Sequence, residues 1–143
     1  MRFMLAILIC AVSLSACSKP VNRSIDADSA ESSQSAVDVA VREVLQGYLG
    51  ALNRGDYDAA AAYWSPTAGV KAADLKIPGA SGWSFISSEL IDSSATTARV
   101  QLNFSVNVTP GAQSTYTSGR NVRYFRLVLE QRTWKIQSMT TSP

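Results

Sequence analysis

Residues 97–109 alternate without a fault: Val100, Leu102, Phe104, Val106 and Val108 fall on one face, and Arg99, Gln101, Asn103, Ser105 and Asn107 on the other. A period of two with one apolar and one polar side belongs to a strand of an antiparallel sheet covered on a single face. The cover has to come from the same chain, and the residues before the strand supply it. Val37, Val41, Val44, Leu45, Tyr48, Leu49 and Leu52 recur at spacings of three and four, with Arg42, Glu43 and Gln46 opposite, so this stretch predicts an amphipathic helix.

Local signals divide the rest. Ser35 caps the first helix, with Asp38 three residues on as a box-like partner. Gly47 and Gly50 inside it each cost ~1 kcal/mol against alanine, and Asn53-Arg54-Gly55 ends it. Asp56 caps a second helix over 57–64, whose four successive alanines allow close packing and which Pro66 stops. A third short helix is expected over 70–76 and a loop over 78–82. Further strands are expected over 83–92, 121–130 and 134–140, with Arg123, Phe125, Leu127 and Leu129 on one face of the third strand. Pro110-Gly111 and Gln131-Arg132-Thr133 make the turns. Helices first and hairpins afterwards give an α+β fold: N-terminal helices packed on a curved antiparallel sheet of about four strands, in a single domain.

The first residues follow other rules. Arg2 precedes ten unbroken apolar residues, 3–12, and small residues lead from there to Cys17. Charge, apolar stretch and small-residue exit make a secretory signal. Ten residues are too few to span a bilayer, which takes ~20. Ordinary cleavage after Ala16 would want a small residue where Leu14 stands. Leu14-Ser15-Ala16-Cys17 instead resembles the bacterial lipobox. That resemblance implies a lipoprotein signal peptide over 1–16, lipidation of Cys17, and a membrane partner reached through the lipid anchor. The family's three acyl chains imply permanent attachment, since one chain binds only marginally. Ser18 after the cysteine resembles the outer-membrane sorting pattern, which implies an outer-membrane lipoprotein facing the periplasm. Cys10 leaves with the signal, so no disulfide is available within the mature chain and no cysteine remains for a metal. The stretch after Cys17, up to residue 35, is rich in Ser, Asp and Ala. It is expected to be a disordered tether spanning ~21–25 Å. The folded domain is then 36–143, about 108 residues, near the commonest domain size.

Leu52-Asn53-Arg54-Gly55-Asp56-Tyr57, then residues 59–64 and Ser65, are similar to the helix, Gly-Asp, helix, aromatic, Ser opening of the nuclear transport factor 2-like superfamily. Phe125-Arg126-Leu127-Val128-Leu129 followed by Trp134-Lys135-Ile136 resembles the paired last strands of that fold. The resemblance covers about residues 36–140 and implies a cone, in which helices close one end of a curved sheet and often leave a pocket. Tyr48, Tyr63, Trp64, Trp83, Phe104 and Trp134 are the candidate pocket residues. Ordinary core packing is the alternative for each, since aromatics at these periods commonly fill volume.

Catalytic chemistry has little to draw on. The chain contains no histidine, which removes the commonest general base, every Ser–His or Cys–His arrangement and all histidine metal sites. No cofactor and no metal are expected. A carboxylate mechanism survives: ketosteroid isomerase, of the same superfamily, works with an Asp base, a Tyr and a protonated Asp. The weak catalytic candidates of that type are Tyr48, Asp74 and Glu89, although the inward face of the 97–109 strand carries no acid or base.

Charge is uneven, with ten acids against four bases from Asp26 to Asp92, and six bases against one acid from Arg99 to Lys135. The sheet should be positive and the helical side negative. A positive sheet suits an acidic partner, anionic lipid or polysaccharide, or is a solvated face whose arginines keep strand edges from pairing. The formal net charge of +2 for the whole chain is too small for a nucleic-acid partner. The expected function is a non-enzymatic, membrane-anchored binding module of the cell envelope, engaging a protein or a small apolar ligand. A carboxylate–tyrosine isomerase or hydratase, and a periplasmic immunity or secretion-accessory lipoprotein, are the alternatives.

Overall fold

The computed structural model describes residues 25–143. The signal segment, Cys17 and the first part of the expected tether lie outside the described residues. The order is helix α1 (Ile25–Asn53), helix α2 (Tyr57–Ala61), two 3-10 turns (Pro66–Ala68 and Ala72–Leu75), and strands β1 (Ala80–Ser93), β2 (Thr97–Val108), β3 (Gly119–Glu130) and β4 (Thr133–Thr140). The four strands form one antiparallel meander in the order β1-β2-β3-β4, and the helices pack on one face of this curved sheet. Among the described residues no helix is long and apolar enough to cross a membrane.

β2 fits its sequence pattern closely. Val100, Leu102, Phe104 and Val106 are buried, and they meet Val41, Leu45, Tyr48, Leu49 and Leu52 of α1 in one core. β3 turns Phe125 and Leu127 to the same core. Burying each large apolar side chain is worth about 1.5–3 kcal/mol, and this shared layer holds a domain that has no disulfide. The β3–β4 hairpin closes through a two-residue turn with Gln131 and Arg132 both at positive φ (48° and 67°). That is the left-handed conformation such a turn requires, here adopted by two residues with side chains.

Four elements depart from expectation, the first being β1, which begins at Ala80 inside the expected 78–82 loop because Ala80 and Ser81 pair with Val108 and Asn107 of β2. Helix α1 begins at Ile25 rather than at Ser35, so the tether expected up to residue 35 is helical from 25 onward. Ser35 lies inside the helix, and Asp38 pairs with Arg42 one turn on (2.5 Å) instead of closing a capping box. The physical reason is that no Pro or Gly stands between Pro20 and Gly47. Low hydrophobicity keeps such a stretch from forming a core of its own, but it does not stop it from prolonging a helix already nucleated by packing. Helix α2 ends at Ala61, three residues early, because Tyr63, Trp64 and Ser65 leave the helix to join the sheet edge. The expected third helix is the single 3-10 turn Ala72–Leu75.

The sheet edge is where the helical layer and the strands are fastened together. Ser65 N–H donates to the Ile136 carbonyl (2.7 Å), and Ile136 N–H donates to the Tyr63 carbonyl (2.8 Å). Ser65, fully buried, then uses its hydroxyl three times, one of them a hydrogen bond with Thr67 Oγ1 at 2.7 Å. Its Oγ donates to Glu130 Oε1 at 2.6 Å and accepts from Thr67 N–H at 3.2 Å, capping the first 3-10 turn. Replacing Ser65 with Ala should destabilise the domain by about 1–3 kcal/mol, the cost of leaving a half-buried carboxylate and a turn donor unmatched. Chemical denaturation of Ser65→Ala beside the parent measures it, with Ser65→Thr retaining part of the loss.

Candidate functional site

α1 presents Tyr48 to the interior, where its ring meets the edges of Trp64 (centroids 6.0 Å apart) and Phe125 (6.3 Å). Trp64 reaches that place because the chain leaves α2 early and lies along β4. From the opposite side, the segment between β2 and β3 sends Tyr116 inward to Trp83 (5.1 Å) and Phe104 (5.8 Å). Between Tyr48, Trp64, Tyr116 and Met139 lies a cavity of about 420 Å³, within the usual range for small-ligand pockets. Its mouth is formed by Asp74, Leu75 and Lys76 of the second 3-10 turn on one side, and by Gln113 and Thr115 on the other.

The wall carrying Tyr116 is held in place. The Arg123 guanidinium lies over the Tyr116 ring, 4.7 Å from its centroid, a cation–π arrangement. It also donates to the carbonyls of Thr115 and Val122, both at 2.8 Å. Buried Asn121 donates to the carbonyls of Thr117 (2.7 Å) and Gly119 (2.9 Å) and so fixes the return of the segment into β3. Tyr116 itself donates to Met139 Sδ at 3.7 Å.

The polar groups inside are neutral donors. Burial pushes the Tyr48 phenol well above its ordinary range, and the neighbouring Tyr116 adds to the rise. Tyr116 is also raised by burial, against the opposing charge of Arg123. The Trp64 indole favours the ionised Tyr48, but its N–H lacks the geometry of a hydrogen bond. Its nitrogen, sealed from solvent, has no partner among the described residues. The contact is a weak polar approach that leaves the indole donor unsatisfied among the described residues. Such a cavity has the chemistry to hold an apolar body and to donate to an acceptor atom; the charged residues that line it, Asp74 and Lys76, are both exposed.

The sequence candidates separate accordingly. Tyr48, Trp64 and Asp74 line this one cavity. Asp74 sits exposed at the mouth, where its Oδ2 accepts from Lys71 N–H (2.9 Å) and caps its own turn. Glu89 does not join them; it is exposed on β1, beside a shallow groove shared with Gln34, Ser35 and Asp38 of α1. Trp83 stacks on Phe104 (5.8 Å, 23° between planes) as core packing. Trp134 is buried in the hairpin opposite Leu129. Tyr63 packs on α1 where only glycine leaves room, since a Cβ at Gly47 would lie 2.3 Å from the Tyr63 hydroxyl. None of these last four lines the cavity. Among the described residues no three His, Cys, Asp or Glu side chains gather as a metal site. Tyr116, Arg123 and Met139 were not expected at the site. The one signal for Tyr116 is a lone aromatic in a Ser/Thr/Gly-rich stretch without periodicity.

Because the folded state keeps the Tyr48 and Tyr116 protons where the unfolded chain has lost them, stability falls as pH rises above about 10. The sign follows from the unfolded state binding fewer protons there. Tyr48→Phe should flatten that fall, and thermal unfolding of both proteins between pH 8 and 11 measures the difference.

No family model and no curated protein matches this sequence. Solved structures do match its shape. One is a nuclear transport factor 2-like protein with a cystatin-like fold from Novosphingobium aromaticivorans, at TM-score 0.57 and 13% identity, covering 82% of this chain and 88% of that one. Another, from the same organism and provisionally named an aromatic ring hydroxylase, matches at TM-score 0.53 and 14% identity, covering 72% of this chain and 85% of that one. At such identities the likeness is one of fold, and it agrees with the helix-then-meander order. The chain has the nuclear transport factor 2-like α+β fold.

Proposed function

We propose that this protein is a membrane-anchored bacterial lipoprotein whose domain is a non-enzymatic binding module for a small, flat, apolar ligand that carries an acceptor oxygen. The carrying observation is the cavity of about 420 Å³, in which the Tyr48 and Tyr116 rings, Trp64 and Met139 surround space whose charged lining residues, Asp74 and Lys76, are exposed. Aromatic walls favour an aromatic body through edge and face contacts. The Tyr48 phenol, kept protonated by burial, is the donor that orients the ligand's oxygen. Asp74 and Lys76 at the mouth stay in water and select against bulk rather than react.

The envelope location in this proposal rests on Leu14-Ser15-Ala16-Cys17 and the apolar run before it. On this reading Cys17 carries the lipid and the domain faces the periplasm from the outer membrane. Helix α1 starts eight positions after Cys17. The twelve residues before Val37 rise about 18 Å as helix, so a rod rather than a coil sets that part of the spacing between lipid and domain.

The second reading, a carboxylate–tyrosine isomerase or hydratase, is favoured by one observation: Tyr48 and Asp74 line the same cavity. The engagement of Asp74 with the Lys71 amide and its exposure set it below the binding reading.

Two outcomes are expected. Mass spectrometry of the protein from native cells should find an acylated amino terminus at Cys17, and Cys17→Ala should move the protein from the membrane to the soluble fraction. An unmodified terminus ends the anchored reading. Titration of tryptophan fluorescence in the intact protein should show saturable binding of both naphthalene and 2-acetonaphthone. Tyr48→Phe should weaken the ketone about 5- to 10-fold, one neutral hydrogen bond's worth, and leave naphthalene unchanged. No saturation with either compound would refute the ligand-binding reading.

A further inference from the structure

The outer face of the sheet holds a feature unrelated to the cavity. Arg99 of β2 and Arg126 of β3 are direct cross-strand partners, an arrangement that is destabilising for like charges. A single acid stands with them: Asp92 of β1, the register partner of Arg99 on its other side. Arg99 Nε donates to Asp92 Oδ2 at 2.6 Å, and the two form an ion pair. That bond chiefly, with the charges of Arg99 and Arg126, holds the Asp92 carboxyl below its ordinary range. Arg126 has no hydrogen bond or ion pair among the described residues. One carboxylate between two guanidiniums leaves one positive charge unmatched.

A groove of about 240 Å³ opens at this place, lined by Arg99, Arg126, Tyr124, Ser138 and Ile91 among others. The register sets Ser138 directly opposite Arg126, so a hydroxyl stands beside the unpaired guanidinium. Thr140, opposite Tyr124, already donates its hydroxyl to the Ser142 carbonyl (2.6 Å). Ile91 is 42% exposed, one of three large apolar side chains left in water among the described residues.

We propose that this groove is a binding site for the phosphodiester headgroup of an anionic membrane phospholipid. The charge selects a monoanion, because Asp92 opposes a second negative charge and a phosphodiester carries only one. The donors select tetrahedral oxygen: a planar carboxylate is satisfied by the Arg126 fork alone, whereas two non-bridging phosphate oxygens take the fork and the Ser138 and Tyr124 hydroxyls together. The volume holds a headgroup and not the acyl chains, and exposed Ile91 provides the apolar contact for the start of those chains. The site does not depend on the cavity ligand or on lipidation of Cys17, so its failure leaves both of those readings standing.

The test is nuclear magnetic resonance of the intact protein in neutral detergent, titrated separately with dihexanoylphosphatidylglycerol, glycerophosphoglycerol and inorganic phosphate. The short-chain lipid should give saturable shifts at the Arg126 Nε–H and the Ser138 amide, at lower concentration than either soluble anion. Arg126→Gln should weaken it at least ~10-fold, the scale of one charge-assisted contact, with a thermal midpoint no lower than the parent's, since the change relieves the repulsion from Arg99. Arg54→Gln on the helical side should behave as the parent. Three results overturn the proposal: no saturable shift with the lipid, equal affinity in Arg126→Gln, or a soluble anion binding as tightly as the lipid.

Discussion

Two backbone hydrogen bonds, Ser65 N–H to the Ile136 carbonyl and Ile136 N–H to the Tyr63 carbonyl, decide more of this structure than their number suggests. A meander of four strands has two free edges, and each is a row of unmatched donors and acceptors. Here the edge at β4 is covered by the short parallel bridge of Trp64 on Ile136. The same bridge ends α2, directs the Trp64 ring beneath α1 and sets it against Tyr48. Without it the second helix and the turn after it would be tied to the sheet only by side-chain bonds, from Lys135 Nζ to the Ala62 carbonyl and from Ser65 Oγ to Glu130, and the cavity would lack one wall. The opposite edge, β1, is handled differently: three register irregularities break its pairing with β2, and such bulges twist an edge away from flat pairing with another chain.

The layers of the fold were legible wherever periodicity was strong, because burial on one face writes itself into every second or every third and fourth residue. β2 is the clearest instance, and the inward stripe of α1 from Val37 to Leu52 is another. What the sequence concealed has separate physical causes. The start of α1 is set by the absence of a breaker, and helix continuation from a packed segment needs no apolar stripe. The end of α2 is set by a competing partner for the Tyr63 and Ser65 backbone, which no local rule contains. Tyr116 is buried from a segment with no repeat at all, held by Arg123 and Asn121 on the next strand. Half of the cavity wall therefore comes from tertiary contacts that only the folded chain makes, while Tyr48, Trp64 and Asp74 could be singled out beforehand.

The arginines of β3 show how parity divides a charge pattern that composition treats as one. Arg123 and Arg126 are three apart, so in a strand they point to opposite faces. Arg123 is turned inward over Tyr116 and is part of the cavity's scaffold, whereas Arg126 stands on the outer face beside Arg99. The positive half of the chain is thus two populations with different work. One spends its charge on carbonyls and an aromatic ring inside, and the other remains available to an anion outside. Arg120 belongs to neither, because its guanidinium is held by Asn103 Oδ1 at 3.1 Å.

The cavity is best understood as a departure from what stability alone would select. Natural cores are close-packed, and a sealed indole N–H without a partner costs on the order of 1–3 kcal/mol. That is a large share of the 5–15 kcal/mol that holds a typical domain together. The described residues contain no cysteine, and a domain without disulfides has little reason to keep both an unfilled space between Tyr48, Trp64, Tyr116 and Met139 and an unsatisfied Trp64 nitrogen in one place. The buried polar groups of Ser65 and Asn121, by contrast, are satisfied, while Ser88 Oγ on β1 is a second buried atom without a partner among the described residues. Local rules are commonly broken where function requires it, and here the unsatisfied indole nitrogen and the aromatic-walled opening fall at the same residue, Trp64.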